Sequence, residues 1–259
     1  MYASIHPDVQ MHLLQYFFVL SAGLFASSNG VRPPHQVQYT LRVGAGNLTA
    51  PLPCFVGRDT IVNVIECFDA YTVPSGAILT PDQYNAAQPN GVERDAWRLA
   101  ISRLLGVDST CAPELLPAEL NDKYTITHYT ELITERSFCI LSETQLTPGG
   151  YFLRGWGLLV VPSTRAQVSR HIHISAPHPG RADPGSPQQA AAVFRNTGDK
   201  SLLISGRHRN AFAQPSACRP DFSVTDAAHN IVRPSLFLHL CFMYSSVFSS
   251  RTNYFLMPM

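Results

Sequence analysis

The sequence predicts an α/β fold with a mixed, partly parallel β-sheet and flanking helices. Two patterns lead to this prediction. Residues 172–205 follow the order strand, loop, helix, strand, which is a βαβ unit and places its two strands in parallel. Ahead of this unit, residues 124–162 contain a succession of strand-like segments, and residues 92–106 have helical periodicity. We therefore expect one α/β domain over residues 29–230, with an N-terminal elaboration that extends to about residue 120.

Four segments of the elaboration have recognisable patterns. Residues 37–43 (VQYTLRV) alternate as a strand does. Residues 92–106 carry apolar side chains at helical spacing and end at Gly106, a suitable helix C-cap. The segment at 60–71 fits either a strand or a short helix, and the segment at 81–89 fits either a polar loop or a helix.

Strands dominate the chain beyond Pro117. One helix interrupts them at 186–198, for which the sequence predicts Ser186 as the N-cap, Pro187 at the first position and Gly198 at the end. Alternating or continuously apolar residues predict strands at 124–129, 137–142, 151–162, 172–176 and 201–205.

The first 28 residues resemble a secretory signal peptide. Residues 13–26 (LLQYFFVLSAGLFA) form an apolar run of signal-peptide length that is short for a membrane span, and small residues follow it. The ten residues before Met11 lack the basic residues of a normal signal, which favours Met11 as the natural start. The alternative is a buried N-terminal helix. A signal peptide predicts a secreted protein with no stable membrane insertion after cleavage.

Cysteine content and a glycosylation sequon agree with secretion. The six cysteines are an even number, so we expect disulfides, although six cysteines allow about fifteen pairings and the sequence does not choose among them. Cys54 with Cys67, and Cys111 with Cys139, are the pairs closest in sequence. Asn47 begins the sequon Asn-Leu-Thr and is the predicted glycosylation site.

The last 29 residues differ from the rest of the chain. Residues 231–259 are rich in Phe, Ser and Leu, carry almost no charge and follow neither a helical nor a strand period. We interpret them as an aberrant apolar tail outside the fold, of the kind that translation of non-coding sequence produces. A membrane tail is the second interpretation, and Arg251 disfavours it.

Charge and motifs exclude several classes of function. A net charge of +1 gives no electrostatic reason to expect nucleic acid or an acidic membrane surface as a partner. The sequence contains no GxSxG elbow, no P-loop and no GxGxxG motif. Serine-hydrolase, nucleotide-binding and dinucleotide-binding functions therefore have little support.

Polar residues collect where the two strands of the βαβ unit end. The first strand leads into Pro177-His178-Pro179-Gly180, with Asp183 five residues after the histidine, and the second leads into His208 and Arg209. Because the carboxyl ends of parallel strands meet at one sheet edge, we expect these side chains to lie close together.

This group of residues allows a metal site. His178 and Asp183 would give zinc one nitrogen and one oxygen, and a third ligand, His229 or His208, would complete a site with an open water position. The alternative is that His178 and Asp183 simply cap a strand and a turn. Arg209 is placed to bind a substrate carboxylate, with a surface salt bridge as its alternative.

His171 and His173 are two residues apart on one strand face and could form a chelating pair. They precede the loop, so we interpret them as strand-face histidines near solvent.

The segment from Ala176 to Ser186 (APHPGRADPGS) is similar to the APHGGxIEPGT loop of the poly-γ-glutamate hydrolase group. These are zinc amidases of the phosphorylase/hydrolase-like α/β fold, related to zinc carboxypeptidases. The resemblance implies that His178 and Asp183 bind zinc and that a later histidine completes the site. His229 is the preferred third ligand and His208 the alternative.

Residues 124–230 also resemble a set of uncharacterised secreted proteins of fungi and bacteria, which carry no established activity. The shared segments are RGWG (154–157), the PHP loop with its Asp, Gln189, Phe194, SGRHR (205–209) and TDAAHN (225–230).

Two departures from the hydrolase pattern stand out. Asp183 replaces a glutamate, and Pro-Gly follows His178 where the family has Gly-Gly. Members of the group continue after the AHN segment with a helix and strands that supply a general-base glutamate. The apolar tail occupies that place here, so we expect a phosphorylase/hydrolase-like fold that is truncated at its C-terminus.

Two functions follow as hypotheses. The first is a secreted zinc-dependent hydrolase of an amide or peptide-like bond, with a small-molecule or peptide-like substrate. Its ligands would be His178, Asp183 and a further histidine, and Arg209 would bind the substrate carboxylate or stabilise the transition state. The second is a non-catalytic secreted protein held by disulfides, either a degenerate hydrolase fold or a truncated gene product.

Overall fold

The computed structural model describes residues 53–180, 182–215, Ser223 and Asp226. Within them, five strands form one sheet in the order β1-β2-β3-β5-β4, antiparallel throughout except for the parallel pair β4/β5. The predicted α/β class with a mixed, partly parallel sheet is therefore confirmed. The strands are β1 (Tyr124–Thr130), β2 (Ser137–Glu143), β3 (Leu158–Pro162), β4 (Arg170–Ala176) and β5 (Asp199–Ile204).

The helices begin at residues whose side chains cap them. Thr60 accepts a hydrogen bond from the Asn63 N–H, and Asn90 forms a reciprocal capping box with Glu93. The ambiguous segments at 60–71 and 81–89 both contain helices. The α-helices are α1 (Ile61–Asp69), α2 (Pro81–Ala86), α3 (Gly91–Leu105) and α4 (Ser186–Thr197), with short 3-10 helices at Pro53–Phe55, Pro113–Leu115, Ala118–Leu120 and Arg165–Gln167.

Alternating side chains of the sheet fill two cores, one on each face. Helices α1 and α4 cover one face, and α3 covers the other. Along β2 and β3 the division is strict: Phe138, Ile140, Leu158 and Val160 face α1 and α4, whereas Cys139, Leu141, Leu159 and Val161 belong to the core with α3. The described part of the elaboration, residues 53–120, thus packs directly on the sheet.

The βαβ unit has the predicted form. Helix α4 connects β4 to β5, and Ile174 is the register partner of Leu202. One detail of the prediction was wrong: the N-cap of α4 is Gly185, with φ of 80°, and Ser186 is the first helical residue. The Ser186 hydroxyl instead donates to the carbonyl of His178 at 3.1 Å, so it holds the loop after β4.

The predicted strand at 151–162 is a strand only from Leu158 onward. Residues 151–157 are irregular because Gly155 and Gly157 adopt φ of 62° and 111°, which side chains with a Cβ rarely tolerate. A Cβ at Gly157 would lie 2.4 Å from the Ile204 carbonyl oxygen, so close backbone packing excludes it.

Two disulfides link the described residues. Cys54 pairs with Cys67, where it fixes α1, and Cys111 pairs with Cys139 on β2. Within the described part of the chain, no helix is long and apolar enough to cross a membrane. Several predictions lie outside the described residues: the signal peptide (1–28), the strand at 37–43, Asn47, Cys218, Cys241, His229 and the tail (231–259).

Candidate functional site

The loop after β4 and the loop after β5 meet at one edge of the sheet, as expected for a parallel pair. The structure brings His178, Asp183 and Arg209 together there. His208 lies beside the loop after β4, since its Cδ2 atom is 4.0 Å from the position that a Cβ on Gly180 would take.

His178 is held between two carboxylates. Its Nδ1 atom lies 3.0 Å from Asp183 Oδ2, and its Nε2 atom lies 3.0 Å from Asp226 Oδ2. The His178 side chain is only 2% exposed. The hydrogen bond with Asp226, helped by Asp183, raises the pKa of His178 against the opposing effect of burial. An imidazole that donates from both nitrogens is a cation, so this arrangement stabilises the protonated ring.

The loop that carries His178 is anchored to helix α1. The Gly180 N–H donates to Asp69 Oδ1 at 2.6 Å, and the side-chain amide of Gln188 donates to Asp69 Oδ2 at 3.3 Å. Asp69 is the last residue of α1, and Gln188 lies in the first turn of α4. One carboxylate therefore joins α1, the loop after β4 and α4.

Arg209 lies on the outer side of this group. Its Nη1 atom is 3.6 Å from Asp183 Oδ1, and its side chain is 43% exposed. Its guanidinium therefore combines a loose contact with Asp183 and access to solvent.

His208, the alternative third ligand, makes a local contact. Its Nδ1 atom accepts a hydrogen bond from the Asn210 N–H at 3.0 Å. Burial and then the charge of Arg209 lower its pKa, which favours the neutral ring.

The residues present fit part of a zinc site. Two donors that share a tetrahedral zinc lie about 3.3 Å apart, given metal–ligand distances near 2 Å. His178 Nδ1 and Asp183 Oδ2 are 3.0 Å apart, so a small movement would let them share an ion. Among the described residues, however, no three His, Cys, Asp or Glu side chains converge as a metal-binding group. A complete site would need a third ligand, and the predicted His229 is outside those residues.

Asp226 and Asp69 are the site residues that the sequence analysis missed. Asp226 stands in TDAAHN, three residues before His229. The available signal in the sequence was that this segment is one of those shared with the uncharacterised secreted proteins. Histidine ligands commonly direct their second nitrogen at a carboxylate, which orients the ring. Asp226 occupies that position toward His178.

A second polar group at the same sheet edge supports the loops. Glu143, at the end of β2, accepts hydrogen bonds from the Arg154 N–H at 2.7 Å and the Gly155 N–H at 2.8 Å. The buried Arg207 guanidinium donates to the carbonyls of Arg154 at 2.7 Å and Ala87 at 2.6 Å. Burial raises the pKa of Glu143 to about 7, and the two backbone donors oppose that effect. The RGWG and SGRHR segments are thus fastened to each other.

His171 lies near the start of β4, away from the loop, and His173 lies in the middle of the strand. His171 is exposed, as predicted, but His173 is buried, and its Nδ1 atom is 2.8 Å from the Ser201 hydroxyl. Burial lowers the pKa of His173 to about 3, so this ring is neutral.

Comparison with known proteins finds no family model, no curated protein and no solved structure that matches the chain.

Proposed function

We propose that the chain is a secreted zinc-dependent hydrolase of an amide or peptide-like bond, with its centre at His178 and Asp183. The observation that supports it best is a buried imidazole flanked by two carboxylates at the carboxyl edge of a parallel strand pair. Ligand sites in α/β proteins lie at such edges. Disulfides among the described residues agree with an oxidising compartment.

In this proposal His178 Nδ1 and Asp183 hold the ion, together with His229. The bound zinc would lower the pKa of a water molecule and polarise the scissile carbonyl. Asp226 accepts the Nε2 proton of His178, which fixes the tautomer and the ring plane. Asp69 fixes the backbone at Gly180, and the Ser186 hydroxyl fixes it at His178.

Arg209 suggests the chemical class of the substrate. Its exposed guanidinium lies next to Asp183 but makes only a 3.6 Å contact with it. A guanidinium can bind a carboxylate with two parallel hydrogen bonds. We therefore assign Arg209 to a free carboxylate near the scissile amide bond.

The test is hydrolysis of acylated dipeptides that have a free carboxylate, by the full chain with and without zinc. The proposal expects zinc-dependent cleavage that His178→Ala and Asp183→Asn abolish. His128→Ala is the matched control because His128 is an exposed histidine on β1, and it should keep the activity. Arg209→Ala should raise KM for the acylated dipeptides that have a free carboxylate. It should leave KM for the methyl esters of the same dipeptides unchanged. Cleavage that does not depend on zinc or on His178 would overturn the proposal.

A second candidate is the non-catalytic secreted protein, and one observation favours it. Both ring nitrogens of His178 already face carboxylates, which gives a self-contained ionic cluster. If the cluster is purely structural, His178→Ala will lower stability while zinc neither binds nor changes stability.

A further inference from the structure

Asp199 carries a buried carboxyl group that the candidate site does not use. It is the first residue of β5, at the end of the strand opposite His178, and it is only 1% exposed. A carboxylate that is buried without a full set of hydrogen bonds is costly. The protonation state of Asp199 therefore needs a physical explanation.

The backbone around Asp199 is held on both sides. The residue before it, Gly198, ends α4 with φ of 66°, and its N–H donates to the Phe194 carbonyl. The Gly198 carbonyl accepts hydrogen bonds from the N–H groups of Ser169 at 2.7 Å and Arg170 at 3.1 Å. The Asp199 side chain therefore starts from a fixed position between α4 and β4.

The hydrogen bonds of Thr197 indicate which group carries the proton. Its hydroxyl oxygen lies 2.7 Å from the Val193 carbonyl oxygen and within hydrogen-bond distance of Asp199 Oδ2. A hydroxyl has one proton and two acceptor lone pairs, and a carbonyl can only accept. The hydroxyl proton therefore belongs to the bond with Val193, so a second hydrogen bond, with Asp199, requires a proton on the carboxyl group.

The surroundings of Asp199 favour the same neutral form. Within the described part of the chain, its Oδ1 atom is buried and has no hydrogen-bond partner. Burial raises the pKa of Asp199, and this effect outweighs the charge of Arg170 and any hydrogen bond that Thr197 could donate to the carboxylate. Arg170 is the register partner of Asp199 on β4, and its side chain is exposed.

Other titratable side chains lie on or next to the elements around Asp199. They are Arg165 before β4, His171 and His173 on β4, Arg195 on α4 and Lys200 on β5. Arg195 is paired with Glu131. The charge that acts on Asp199 is that of Arg170.

We propose that Asp199 is a proton-binding switch at the junction of α4 and β5. In the protonated state the neutral carboxyl group donates to Thr197, and the Thr197 hydroxyl donates to Val193. When the proton leaves for solvent, the hydroxyl either turns from Val193 to the carboxylate or faces the carboxylate with no proton between them. Either change breaks a hydrogen bond at the end of α4, so the junction is more stable at low pH than at high pH.

Carbon NMR of the full chain with labelled aspartate carboxyl groups tests the proposal. The resonance that Asp199→Asn removes should titrate at higher pH in the folded chain than in the chain unfolded by urea. Thr197→Val should shift this titration to lower pH, because the neutral acid loses its acceptor. Arg170→Gln should shift it to higher pH, because a charge that favours the carboxylate is lost. Thr130→Val, a change at an exposed position of β1, should not shift it.

Urea denaturation gives a second readout. Asp199→Asn imitates the neutral acid, because its side-chain amide can also donate to Thr197. Since the pKa of Asp199 is raised by folding, its contribution to stability is fully present below the pKa of the unfolded chain and is lost as the pH rises through that of the folded chain. The urea midpoint of the wild type should therefore fall relative to that of Asp199→Asn as the pH rises.

A titration of Asp199 at the same or a lower pH in the folded chain than in the unfolded chain would overturn the proposal. So would Thr197→Val if it left the titration unchanged or moved it to higher pH, since the hydroxyl would then not accept from the acid. A constant difference between the urea midpoints of the wild type and Asp199→Asn would also overturn it. None of these measurements involves zinc, so they test the switch independently of the hydrolase.

Discussion

Arg207 and Arg209 are two residues apart in the loop after β5, yet they belong to two different polar groups. The Arg207 guanidinium is buried, and it donates to the carbonyls of Arg154 and Ala87. The Arg209 side chain is 43% exposed, and its Nη1 atom lies 3.6 Å from Asp183 Oδ1. We call the first group, with Glu143, the frame cluster, and the second, with His178, Asp183 and Asp226, the histidine cluster.

The difference lies in what each cluster binds. The charged side chains of the frame cluster form hydrogen bonds with backbone groups of neighbouring loops, so they stabilise the fold. The histidine cluster joins side chains to side chains, and its outer part is open to solvent at Arg209. Residues of the frame cluster should therefore control stability, and residues of the histidine cluster should control binding.

The largest expected effect is in the frame cluster. Arg207→Ala should lower the free energy of unfolding by about 3–5 kcal/mol, because it leaves the carbonyl groups of Arg154 and Ala87 buried without their donor and removes a positive charge from the surroundings of buried Glu143. Urea denaturation followed by circular dichroism measures the change. Arg209→Ala is the matched control and should cost less than about 1 kcal/mol, as an exposed ion pair does. Equal losses in the two variants would remove the distinction between the clusters.

Glu143 should make stability depend on pH. Its pKa in the folded chain is raised to about 7, above the ordinary value of 4.5, so folding favours the protonated form. Its contribution is therefore fully present below about pH 4.5 and is lost as the pH rises through about 7, with a size on the order of 3 kcal/mol. Denaturation curves of the wild type and Glu143→Gln between about pH 4 and pH 8 test this. The advantage of the wild type over the variant should shrink with rising pH, and a constant difference would contradict the prediction.

The stability of a Gly155 variant should show how closely the loop at 151–157 packs against the loop after β5. A Cβ there would lie 2.6 Å from Val73 Cγ2 and 2.8 Å from the Gly206 oxygen, whereas a Cβ at Gly150 would meet nothing within 4 Å. Both glycines have positive φ, so Gly150→Ala carries the conformational cost alone. Gly155→Ala should be less stable than Gly150→Ala by about 2 kcal/mol in thermal or urea unfolding. Similar stabilities would mean that the loops can separate.

The smallest expected loss of stability, with a larger effect on binding, is at Asp69. Asp69→Ala should cost about 1–2 kcal/mol, because the Gly180 N–H and the Gln188 amide lose their acceptor. It should also weaken zinc binding about 10–100-fold in a chelator competition assay, as changes behind a metal ligand commonly do. Asp82→Ala, an exposed carboxylate at the start of α2, should change neither quantity. Unchanged zinc affinity in Asp69→Ala would contradict this prediction, because it would show that the anchor at Asp69 has no influence on the metal site.

Local patterns were sufficient to predict the two strands and the helix of the βαβ unit that carries the site, but they left α1 open between a strand and a helix. Strand periodicity and the helix at 186–198 predicted the parallel pair, and that pair placed Asp183 and Arg209 next to each other. The adjacency of His178 and Asp183 followed from a short loop with fixed ends.

Contacts between distant segments could not be predicted in the same way. Asp69 meets Gly180 across 111 residues, and this contact depends on the packing of α1 against α4 rather than on any motif. Asp226 belongs to a segment in which the sequence pattern indicated His229, and not Asp226, as a site residue. The loop at 151–157 was mistaken for a strand because its aromatic and apolar residues hid the backbone requirements of Gly155 and Gly157.

The central claim is that His178 and Asp183 bind zinc, and elemental analysis of the full chain tests it most directly. After equilibration with zinc and removal of the excess, the wild type and His128→Ala should each retain about one zinc per chain. His178→Ala and Asp183→Asn should retain almost none. A wild type without zinc, or variants of His178 and Asp183 that keep it, would contradict the claim.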